Sequence, residues 1–391
     1  MVTVESLAFG GDSVGHADDG RVVFVPGGAP GDQVEVEVEE EHKAWMRARL
    51  LRTVKPGPTR VPPPCPQYLA GCGGCQWLHV DAVAQRAAKE EVVRRALRHV
   101  APVVEPIRSP GPDLGWRRRA RLRWRSGILG YTKHRSHELV DAPACPQLDE
   151  RLERALAAIR QAFGGQLVGS GDLELLVTRR GEVHVALSGP HVPAADSLVG
   201  QAGIAGILVG GTTLGADRVD LGDGDSPFWA RADVFAQASA PGNDLLRALV
   251  REAAGPLAGR RVLELFAGSG NFTRDLLAAG AHVVAVEESA PASALAAMNL
   301  APWSDRSTLM TRPAAPPLPE GPFDLVVVDP PRTGLDPELT RALAALAVPM
   351  IYVSCDPQTL ARDLAGRQVE RVVPVDLMPQ TFHVEVVALV R

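Results

Sequence analysis

Long apolar runs are absent from this sequence, and that absence limits where the protein can act. No stretch of its 391 residues approaches the roughly 20 apolar side chains needed to span a bilayer. The opening residues, MVTVESLAFGGDSVG, have neither the basic start nor the apolar core of a signal peptide. We therefore expect no membrane partner and a cytoplasmic location. The net charge of −5 argues against a uniformly basic nucleic-acid binder but is compatible with a local basic patch.

Cysteine is also scarce, with five residues in the chain. Disulfides are rare in the cytoplasm, so free thiols or metal-bound thiolates are expected. Cys65, Cys72 and Cys75 lie in CPQYLAGCGGCQ, whose glycines let two thiolates face one ion, and Cys145 comes from a distant segment. Four thiolates suit zinc or an iron–sulfur cluster, and the single CxxC pair favours iron–sulfur because zinc ribbons usually have two. Unligated buried thiols are a third alternative. This grouping leaves Cys355 alone.

Three successive patterns are present in the chain. Residues 1–58 alternate apolar and polar side chains around Gly/Pro turns, as in GRVVFVPGGAPGDQVEVEVEEE, which predicts a small OB-like β-barrel. Residues 59–238 begin in a proline-rich linker, show helical spacing at about 80–100, and are then strand-rich with one helix near 147–163. We expect an α+β domain there that carries the metal cluster. From 239 to 391, strands and helices alternate, which predicts a Rossmann-like α/β domain with a parallel sheet.

The densest positive segment is WRRRARLRWRSGILGYTKHRSHELVD. Alternate residues of a strand share a face, so its arginines would form one basic row: Arg119, Arg121, Arg123 and Arg125. Aromatic and further basic residues are interleaved with this row: Trp116, Trp124, Tyr131, Lys133 and Arg135. Arginine makes planar, paired contacts to phosphate, and aromatic rings stack on unpaired bases. Four arginines on one face would repel one another without an anion. We therefore interpret the segment as a nucleic-acid contact rather than a solvated strand face.

A glycine loop and an acidic strand end predict a cofactor site. RRVLELFAGSGNFTRDLLAAGAHVVAVEE has the order strand, loop, helix, strand. Gly268 and Gly270 let the backbone approach a ligand, and Glu287 can accept hydrogen bonds from ribose hydroxyls. The loop lacks the third glycine of the dinucleotide fingerprint and has Phe272 two residues after Gly270, which favours S-adenosylmethionine over NAD. FDLVVVDPPRTGLD then places Asp329 at the carboxyl end of a strand, the edge where such sheets bind ligands.

Cys355 and Glu385 are predicted at that same edge. Cys355 ends a strand in IYVSCDPQTLARDL, and Glu385 begins the last strand in MPQTFHVEVVALVR. Beside a methyl donor, this pair suggests methylation of uracil at carbon 5, which is too weak a nucleophile to take a methyl group unaided. A thiolate that adds to carbon 6 turns the ring into an enolate, and a base must later remove the carbon-5 proton. The alternatives are a small buried cysteine and an exposed strand-edge charge.

These residues together resemble the RNA uracil-C5 methyltransferases, which make 5-methyluridine in rRNA and tRNA. The resemblance covers essentially the whole chain, from a TRAM-like start in GGDSVGHADDGRVVFVPGGAPGDQVEVEV to the late motifs VVVDPPRTGL, YVSCDPQTLARDL and PQTFHVE. It implies that Cys355 is the nucleophile and Glu385 the base. It implies S-adenosylmethionine contacts at Gln237, Phe266, Asn271, Glu287 and Asp329. It also implies a [4Fe–4S] cluster on Cys65, Cys72, Cys75 and Cys145.

Two positions depart from the pattern usual in that family. Ser239 and Asp356 stand where asparagine is common, two residues after Gln237 and directly after Cys355. The stretch TLMTRPAAPPLPEGPFD has no obvious acidic or amide residue for an adenine contact, so that contact is unassigned. Neither departure removes a predicted catalytic group.

Other enzyme classes fit less well. RNA cytosine-C5 methyltransferases have a different pattern, in which a second cysteine follows the Asp-Pro motif. The corresponding segment here, DPPRTG, contains no cysteine. Adenine-N6 enzymes have an aromatic residue after Asp-Pro-Pro, where this chain has Arg332. Radical enzymes with TRAM modules carry CxxxCxxC, whereas six residues separate the first two cysteines here. A non-enzymatic RNA-binding protein is the alternative of a different class, and an intact Cys355 and Glu385 argue against it.

The RNA substrate is less well defined by these motifs, because rRNA and tRNA enzymes share them. The four cysteines together with the TRAM-like start resemble the family's rRNA branch, which favours 23S rRNA, with the tRNA T-loop as the alternative. We expect the protein to act as a monomer.

Overall fold

A small β-barrel, a central sheet and a C-terminal sheet follow one another along the chain. The computed structural model describes residues 1–101, 103–189, 192, 194–222 and 226–391. The predicted N-terminal barrel is confirmed and closes in the order β1-β2-β3-β5-β4. Its strands are β1 Val2–Leu7, β2 Ser13–His16, β3 Val22–Val25, β4 Gln33–Glu41 and β5 Trp45–Lys55. Alternate side chains such as Val4, Val25 and Val34 fill its interior.

Two helices follow the barrel, α1 Pro66–Leu69 and α2 Ala82–Leu97. Helix α2 confirms the helical spacing near 80–100. It begins at Asp81, whose carboxylate accepts a hydrogen bond from the Ala84 N–H. Although α2 precedes the central sheet in sequence, its Val93 and Leu97 pack in the core of the C-terminal sheet.

The central sheet has the strand order β12-β11-β10-β9-β6-β7-β8. Its strands are β6 Arg119–Arg125, β7 Ile128–Thr132, β8 Leu139–Asp141, β9 Ser170–Val177, β10 Val183–Ser188, β11 Ile204–Val209 and β12 Thr212–Gly215. Helix α3, Glu150–Phe163, covers one face with Leu152, Leu156 and Ile159 and corresponds to the helix predicted near 147–163. A short ribbon of β13 Val219–Asp220 and β14 Trp229–Ala230 leads to the C-terminal region.

The C-terminal sheet has the order β17-β16-β15-β18-β19-β21-β20. Its strands are β15 Arg261–Leu265, β16 His282–Glu287, β17 Ser307–Thr311, β18 Leu325–Val328, β19 Met350–Ser354, β20 Val369–Val375 and β21 Glu385–Val390. The prediction of a parallel sheet holds from β17 to β19, but β21 is antiparallel to both neighbours. No crossover helix joins β20 to β21 in this described region, so the chain reverses between them.

Helices cover both faces of this sheet. They are α4 Ala240–Ala254, α5 Thr273–Ala278, α6 Ala290–Leu300, α7 Pro337–Ala345 and α8 Pro357–Asp363. Helices α4, α5 and α6 pack on one face, and α2, α7 and α8 pack on the other. The sheet is therefore buried on both sides, and its strand ends are where side chains can reach a ligand.

Candidate active site

Three side chains singled out from the sequence meet at one edge of the C-terminal sheet. Asp329 directly follows β18, and Cys355 directly follows β19, its parallel neighbour. Glu385 begins β21, which runs antiparallel to β19 with Ser354 opposite Val386. One step further in the same register, Cys355 stands opposite Glu385. A thiol and a carboxyl group from two adjacent strands therefore face the same space.

Hydrogen bonds of the residues before and after Cys355 stabilise the turn that carries the thiol. Ser354 Oγ donates to the Asp356 carbonyl oxygen over 3.0 Å and accepts from the Asp356 N–H over 3.2 Å. Asp356 Oδ1 then caps α8 by accepting from the N–H groups of Gln358 (2.8 Å) and Thr359 (3.2 Å). The direction of the half-buried Cys355 side chain is therefore fixed by a short, fully bonded turn.

Buried carboxyl groups crowd this edge. Glu385 is 6% exposed, and burial, assisted by the charge of Asp329, raises its pKa to about 8. Burial also raises the pKa of Asp329 to about 7. Glu264, inside β15, is 2% exposed, and burial together with Asp329 raises its pKa to about 8. Carboxyl groups whose pKa is raised by burial and by a neighbouring acid are typical of active sites.

Arg332 is a cation that counters these charges. It lies three residues after Asp329, lowers the pKa of Glu385 and opposes the rise in the pKa of Cys355. Burial and the Glu385 charge nevertheless raise the pKa of the Cys355 thiol to about 12. The guanidinium of Arg332 lies 3.3 Å from Nε2 of His383. Burial and Arg332 lower the pKa of His383 to about 3, so that its ring is neutral and can accept this hydrogen bond.

The glycine loop after β15 has the unusual backbone that the sequence predicted. Phe266, Gly268 and Gly270 all have positive φ, at 61°, 57° and 87°. A Cβ on Gly268 would meet nothing within 4 Å, so the backbone there borders open space. Glu287, at the end of β16, accepts from the Gly268 N–H over 2.8 Å and from the Ser289 N–H over 2.8 Å. The carboxylate thus holds the loop while it faces the predicted cofactor site.

The two other predicted cofactor residues are Asn271, at the end of this loop, and Gln237, which precedes α4. Asn271 and Asn243 exchange side-chain hydrogen bonds of 2.8 and 2.9 Å, which fixes the Asn271 amide. The main chain around Gln237 is attached to the central sheet by Arg118. The Arg118 N–H donates to the Ala238 oxygen over 2.7 Å, and its Nε donates to the Gln237 oxygen over 2.9 Å. The Gln237 side chain is half-buried.

The two departures from the family pattern have a common structural explanation. Ser239 is the N-cap of α4 and accepts from the Gly242 N–H. Asp356 is the N-cap of α8. Serine, aspartate and asparagine cap helices about equally well, because each places an oxygen within reach of the free N–H groups. Both substitutions therefore preserve the local backbone on which the neighbouring predicted site residues depend.

The basic row is present, and three of its four arginines pair with two acids of the neighbouring strand. Its four arginines alternate along one face of β6, as the sequence predicted. The interpretation from mutual repulsion was wrong, because β9 lies alongside and supplies Asp172 and Glu174. Arg119 pairs with Glu174 over 3.1 Å, and Arg121 pairs with Asp172 over 3.0 Å. Arg123 contacts the same Asp172 over 3.4 Å.

The two tryptophans of this segment do not lie on the face that carries the arginines. Trp124 is 1% exposed and Trp116 is 4% exposed, so neither ring can stack on a base. Trp124 alternates with the arginines of β6 and must therefore point to the opposite, core-facing side. Tyr131 faces the cysteine pocket. The predicted stacking is wrong for Trp116 and Trp124, whereas the half-buried Tyr131 also lines a pocket with Arg121 and Arg123. Lys133 and Arg135 pair with Glu138 and Asp12.

Four cysteines line a single pocket between the segment after the barrel and the central sheet: Cys65, Cys72, Cys75 and Cys145. Burial and the neighbouring thiols raise the pKa of Cys75 to about 12. Arg117 Nε and Gln147 Nε2, on residues that line the pocket, are buried without a hydrogen-bond partner in the described ranges. No three His, Cys, Asp or Glu side chains among the described residues are arranged to hold a metal ion. The structure brings the thiols together, but it does not show the predicted cluster site.

Sequence reasoning overlooked Glu264, Arg332 and the neutral His383. A glutamate inside the apolar strand VLELF is a signal that could have indicated Glu264. Arg332 could have been inferred from its place after Asp-Pro-Pro at the ligand-binding edge. In the described part of the chain, no helix is both long and apolar enough to cross a membrane.

Comparison with known proteins agrees with this architecture. A family model described as TRAM domain matches residues 1–51, and one described as tRNA (Uracil-5-)-methyltransferase matches residues 311–391. The tRNA (uracil-54, C5)-methyltransferase of Pyrococcus abyssi, solved with S-adenosyl-L-homocysteine, superposes with a TM-score of 0.80 over 100% of both chains at 22% identity. That likeness shows a common fold, with an S-adenosylmethionine-type methyltransferase fold at the C-terminus.

Curated relatives extend the likeness to nearly the full length. An uncharacterized RNA methyltransferase of Gloeobacter violaceus is 33% identical over 99% of this chain and 95% of its own. The 23S rRNA (uracil(1939)-C(5))-methyltransferase RlmD of Aromatoleum aromaticum is 32% identical over 100% and 99% of the two chains, and that of Acidithiobacillus ferrooxidans is 30% identical over 100% and 96%. On this similarity, the chain belongs to the family of RNA uracil-C5 methyltransferases.

Proposed function

We propose that the protein transfers a methyl group from S-adenosylmethionine to carbon 5 of a uridine in RNA, with Cys355 as nucleophile and Glu385 as base. The proposal is supported by the pairing of β19 with β21, which ends at Ser354 and Val386, so that Cys355 and Glu385 are the next residues of two adjacent strands at the ligand-binding edge. The charge of Glu385 also acts on the Cys355 thiol and raises its pKa. The glycine loop after β15 borders the same edge. S-adenosylmethionine, when bound there, supplies an electrophilic methyl group.

In the first step the Cys355 thiol releases its proton to solvent, and the resulting thiolate attacks carbon 6 of the uracil; the thiolate takes up a proton again after it leaves the product. The new carbon–sulfur bond pushes the ring π electrons toward oxygen 4, and the resulting enolate makes carbon 5 nucleophilic enough to take the methyl group. The thiol needs help to ionise, because burial raises its pKa to about 12. Arg332 provides a positive charge that favours the thiolate, and neutral His383 orients Arg332 through the 3.3 Å hydrogen bond.

In the last step Glu385 removes the proton from carbon 5. The electrons of that carbon–hydrogen bond re-form the ring double bond, and the thiolate leaves carbon 6. A carboxylate whose pKa is raised to about 8 is a stronger base than an ordinary one, which suits abstraction from carbon. The proton then passes to solvent, so Cys355 and Glu385 return to their starting states and the products are 5-methyluridine and S-adenosylhomocysteine.

The cofactor contacts are proposed for Gln237, Phe266, Gly268, Gly270, Asn271, Glu287 and Asp329. Each Glu287 oxygen already accepts one N–H and has a further lone pair for a ribose hydroxyl. The positive φ at Gly268 and the open space beside it would let a ligand approach the main chain. Asp329 follows the neighbouring strand β18. We leave the adenine contact unassigned.

We also propose that Cys65, Cys72, Cys75 and Cys145 hold a [4Fe–4S] cluster, with zinc as the alternative. The support is a pocket lined by all four thiols and by buried N–H donors of Arg117 and Gln147 that lack partners in the described residues. Such donors would bond to the sulfur atoms of a negatively charged cluster. The group would act there as a cross-link between the segment after the barrel and the central sheet. Iron analysis and absorption near 400 nm would test this, and a colourless protein that contains zinc would contradict it.

For the RNA substrate we favour 23S rRNA, because full-length relatives bear the name of 23S rRNA enzymes and the barrel matches the TRAM model. A tRNA T-loop is the second candidate, because the family model over residues 311–391 and the Pyrococcus abyssi structure carry tRNA names. We infer a cytoplasmic location from an RNA substrate, and we propose that the protein acts as a monomer.

The test uses the purified protein, radiolabelled S-adenosylmethionine and two unmodified substrates, 23S rRNA and tRNA. After digestion to nucleosides, we expect label in 5-methyluridine, with the rRNA the better substrate. Label in 5-methylcytidine or N6-methyladenosine alone would contradict the proposed reaction. Label in 5-methyluridine only from tRNA would retain the chemistry and overturn the choice of 23S rRNA.

A further inference from the structure

The loop between β20 and β21 carries the proposed base and contains a strained residue. Gln380 lies five residues before Glu385 and has φ +68°, in the left-handed region that glutamine seldom adopts. It is only 7% exposed. Such a conformation persists only where surrounding contacts enforce it, so the partners of Gln380 determine the path of the chain into Glu385.

Those partners come from outside the C-terminal sheet. The Gln380 N–H donates to Gln85 Oε1 over 2.9 Å, and Gln85 Nε2 donates back to Gln380 Oε1 over 2.8 Å. The Gln380 carbonyl oxygen accepts from the Trp77 N–H over 3.0 Å, and its Nε2 donates to the Asp113 oxygen over 3.2 Å. All four polar groups of Gln380 are therefore bonded, and Gln85 on helix α2 supplies two of the four contacts.

Gln85 itself is held rigidly. It is 1% exposed, and the two hydrogens of its Nε2 are shared among Gln380 Oε1 and the carbonyl oxygens of Trp77 (3.0 Å) and Val80 (2.7 Å). One helical turn later, Lys89 Nζ donates to Asp376 Oδ1 over 2.5 Å and to the Met378 oxygen over 3.0 Å. One face of α2 thus anchors the loop at its start and at Gln380.

The anchoring continues toward the base. Thr381 Oγ1 donates to the Met378 oxygen over 2.8 Å and accepts from the His383 N–H over 3.2 Å. Glu385 follows two residues later, where β21 begins. Proton abstraction requires the carboxylate within hydrogen-bond reach of a carbon whose position Cys355 has already fixed covalently. A small shift of this loop would therefore affect the base and leave the nucleophile, on β19, in place.

We propose that Gln85 is a positioning residue which, through its two-way amide pair with Gln380, fixes the loop that presents Glu385 and so controls the proton-abstraction step. This inference rests on the proposed uracil-C5 chemistry. If Gln85 has this role, the two halves of the reaction depend on different elements. Attack by Cys355 and methyl transfer depend on β19, whereas release of the methylated RNA depends on α2 as well.

The test compares the full-length protein with Gln85→Leu, which has similar volume and removes both amide contacts. Methyl transfer precedes proton abstraction, so the variant should release a burst of about one equivalent of S-adenosylhomocysteine and then stall. We expect the steady rate to fall about 100-fold, because a misplacement of about 1 Å can cost that much. KM for RNA should fall as well, because the slowed step follows covalent attachment of the RNA. The covalent Cys355–RNA adduct should accumulate on a denaturing gel.

Two controls separate this role from loss of folding. Leu156→Ala, in the core of the central sheet, should lower stability while the ratio of burst to steady rate stays as in the unmodified protein. Gln85→Glu keeps the volume and the acceptor for the Gln380 N–H, and it should give a smaller stall if Gln85→Leu does not fold. An unchanged ratio in folded Gln85 variants would overturn the inference. Absence of any burst or adduct in the unmodified protein would instead contradict the proposed function.

Discussion

Two clusters of like charge differ in their surroundings: the arginines of β6 lie beside acids at the surface, whereas three carboxyl groups of the C-terminal sheet lie close together in the interior. The four arginines of β6 lie beside Asp172 and Glu174 on β9, and these two acids offset half of the positive charge at a half-exposed surface. Glu264 and Glu385 are buried beside the half-buried Asp329. Desolvation raises the pKa of all three carboxyl groups, and the charge of Asp329 raises the pKa of the other two further.

The contrast indicates where the molecule stores electrostatic free energy. A surface ion pair contributes little, because solvent screens it and two long side chains lose freedom. A buried carboxyl group with a raised pKa costs folding free energy at neutral pH, and such a cost is retained where chemistry requires it. The run of arginines in β6 is therefore a weaker indicator of the functional site than Glu264, Asp329 and Glu385, although these three acids are spread over more than a hundred residues of the sequence.

The largest expected effects follow from removing the two groups that face each other across β19 and β21. Cys355→Ala should abolish methylation and adduct formation, because no thiolate remains to activate carbon 5. Glu385→Gln should allow attack and methyl transfer but block proton removal, so the covalent RNA adduct accumulates. Both outcomes are read from radiolabel in 5-methyluridine and from a shifted band on a denaturing gel. Activity retained by Cys355→Ala would refute the mechanism.

Arg332, the cation that acts on both Cys355 and Glu385, offers the next largest effect. Arg332→Met should raise the pKa of the Cys355 thiol further, because the opposing positive charge is lost. A shift of one pKa unit would slow alkylation of Cys355 about tenfold at a fixed pH below the pKa. The rate is measured against pH by iodoacetamide labelling and mass spectrometry of the peptide that contains Cys355.

Arg332→Lys is the matched control, because it keeps the charge and loses the planar contact with His383. It should fall between the unmodified protein and Arg332→Met. Identical labelling profiles for all three proteins would show that Arg332 has no influence on the thiol.

The contrast also shows which features the sequence could supply. Strand ends follow from apolar periodicity, and parallel strands place their carboxyl ends on one edge, so Asp329 and Cys355 could be brought together from sequence. The pairing of the arginine row with acids could not be predicted, because Asp172 and Glu174 lie about fifty residues away on a strand whose pairing depends on the whole fold. The packing of α2 could not be predicted from the sequence either, because α2 packs on a sheet whose strands lie far downstream in the chain. The positive φ of Gln380 has no sequence signal, since only tertiary contacts enforce it.

A substitution at Glu264 measures how much a buried acid lowers the stability of the fold, and it leaves the proposed nucleophile and base unchanged. Its folded pKa of about 8 exceeds the ordinary value of 4.5, so its stabilising contribution is full below about 4.5 and is lost as the pH rises through about 8. Glu264→Gln does not titrate. Its melting temperature should therefore exceed that of the unmodified protein at about pH 8.5 and approach it at about pH 5.

Differential scanning calorimetry across this pH range checks the prediction. Glu338→Gln, an exposed glutamate in the first turn of α7, is the matched control and should leave the pH dependence unchanged. Parallel pH profiles for Glu264→Gln and the unmodified protein would mean that Glu264 is ionised when buried.

The smallest effect is expected for substitutions beside the arginine row of β6, and it is measured as a change in RNA affinity. Asp172→Asn removes the acid shared by Arg121 and Arg123 and should strengthen RNA binding about twofold to fivefold at low salt, because an exposed pair contributes up to about 1 kcal/mol. Asp305→Asn makes the same charge change at an exposed site paired with Arg306. Filter binding over a range of salt concentrations should show a steeper salt dependence for Asp172→Asn alone. Equal gains for both variants would mean that RNA responds to net charge and that the β6 face is an ordinary solvated surface.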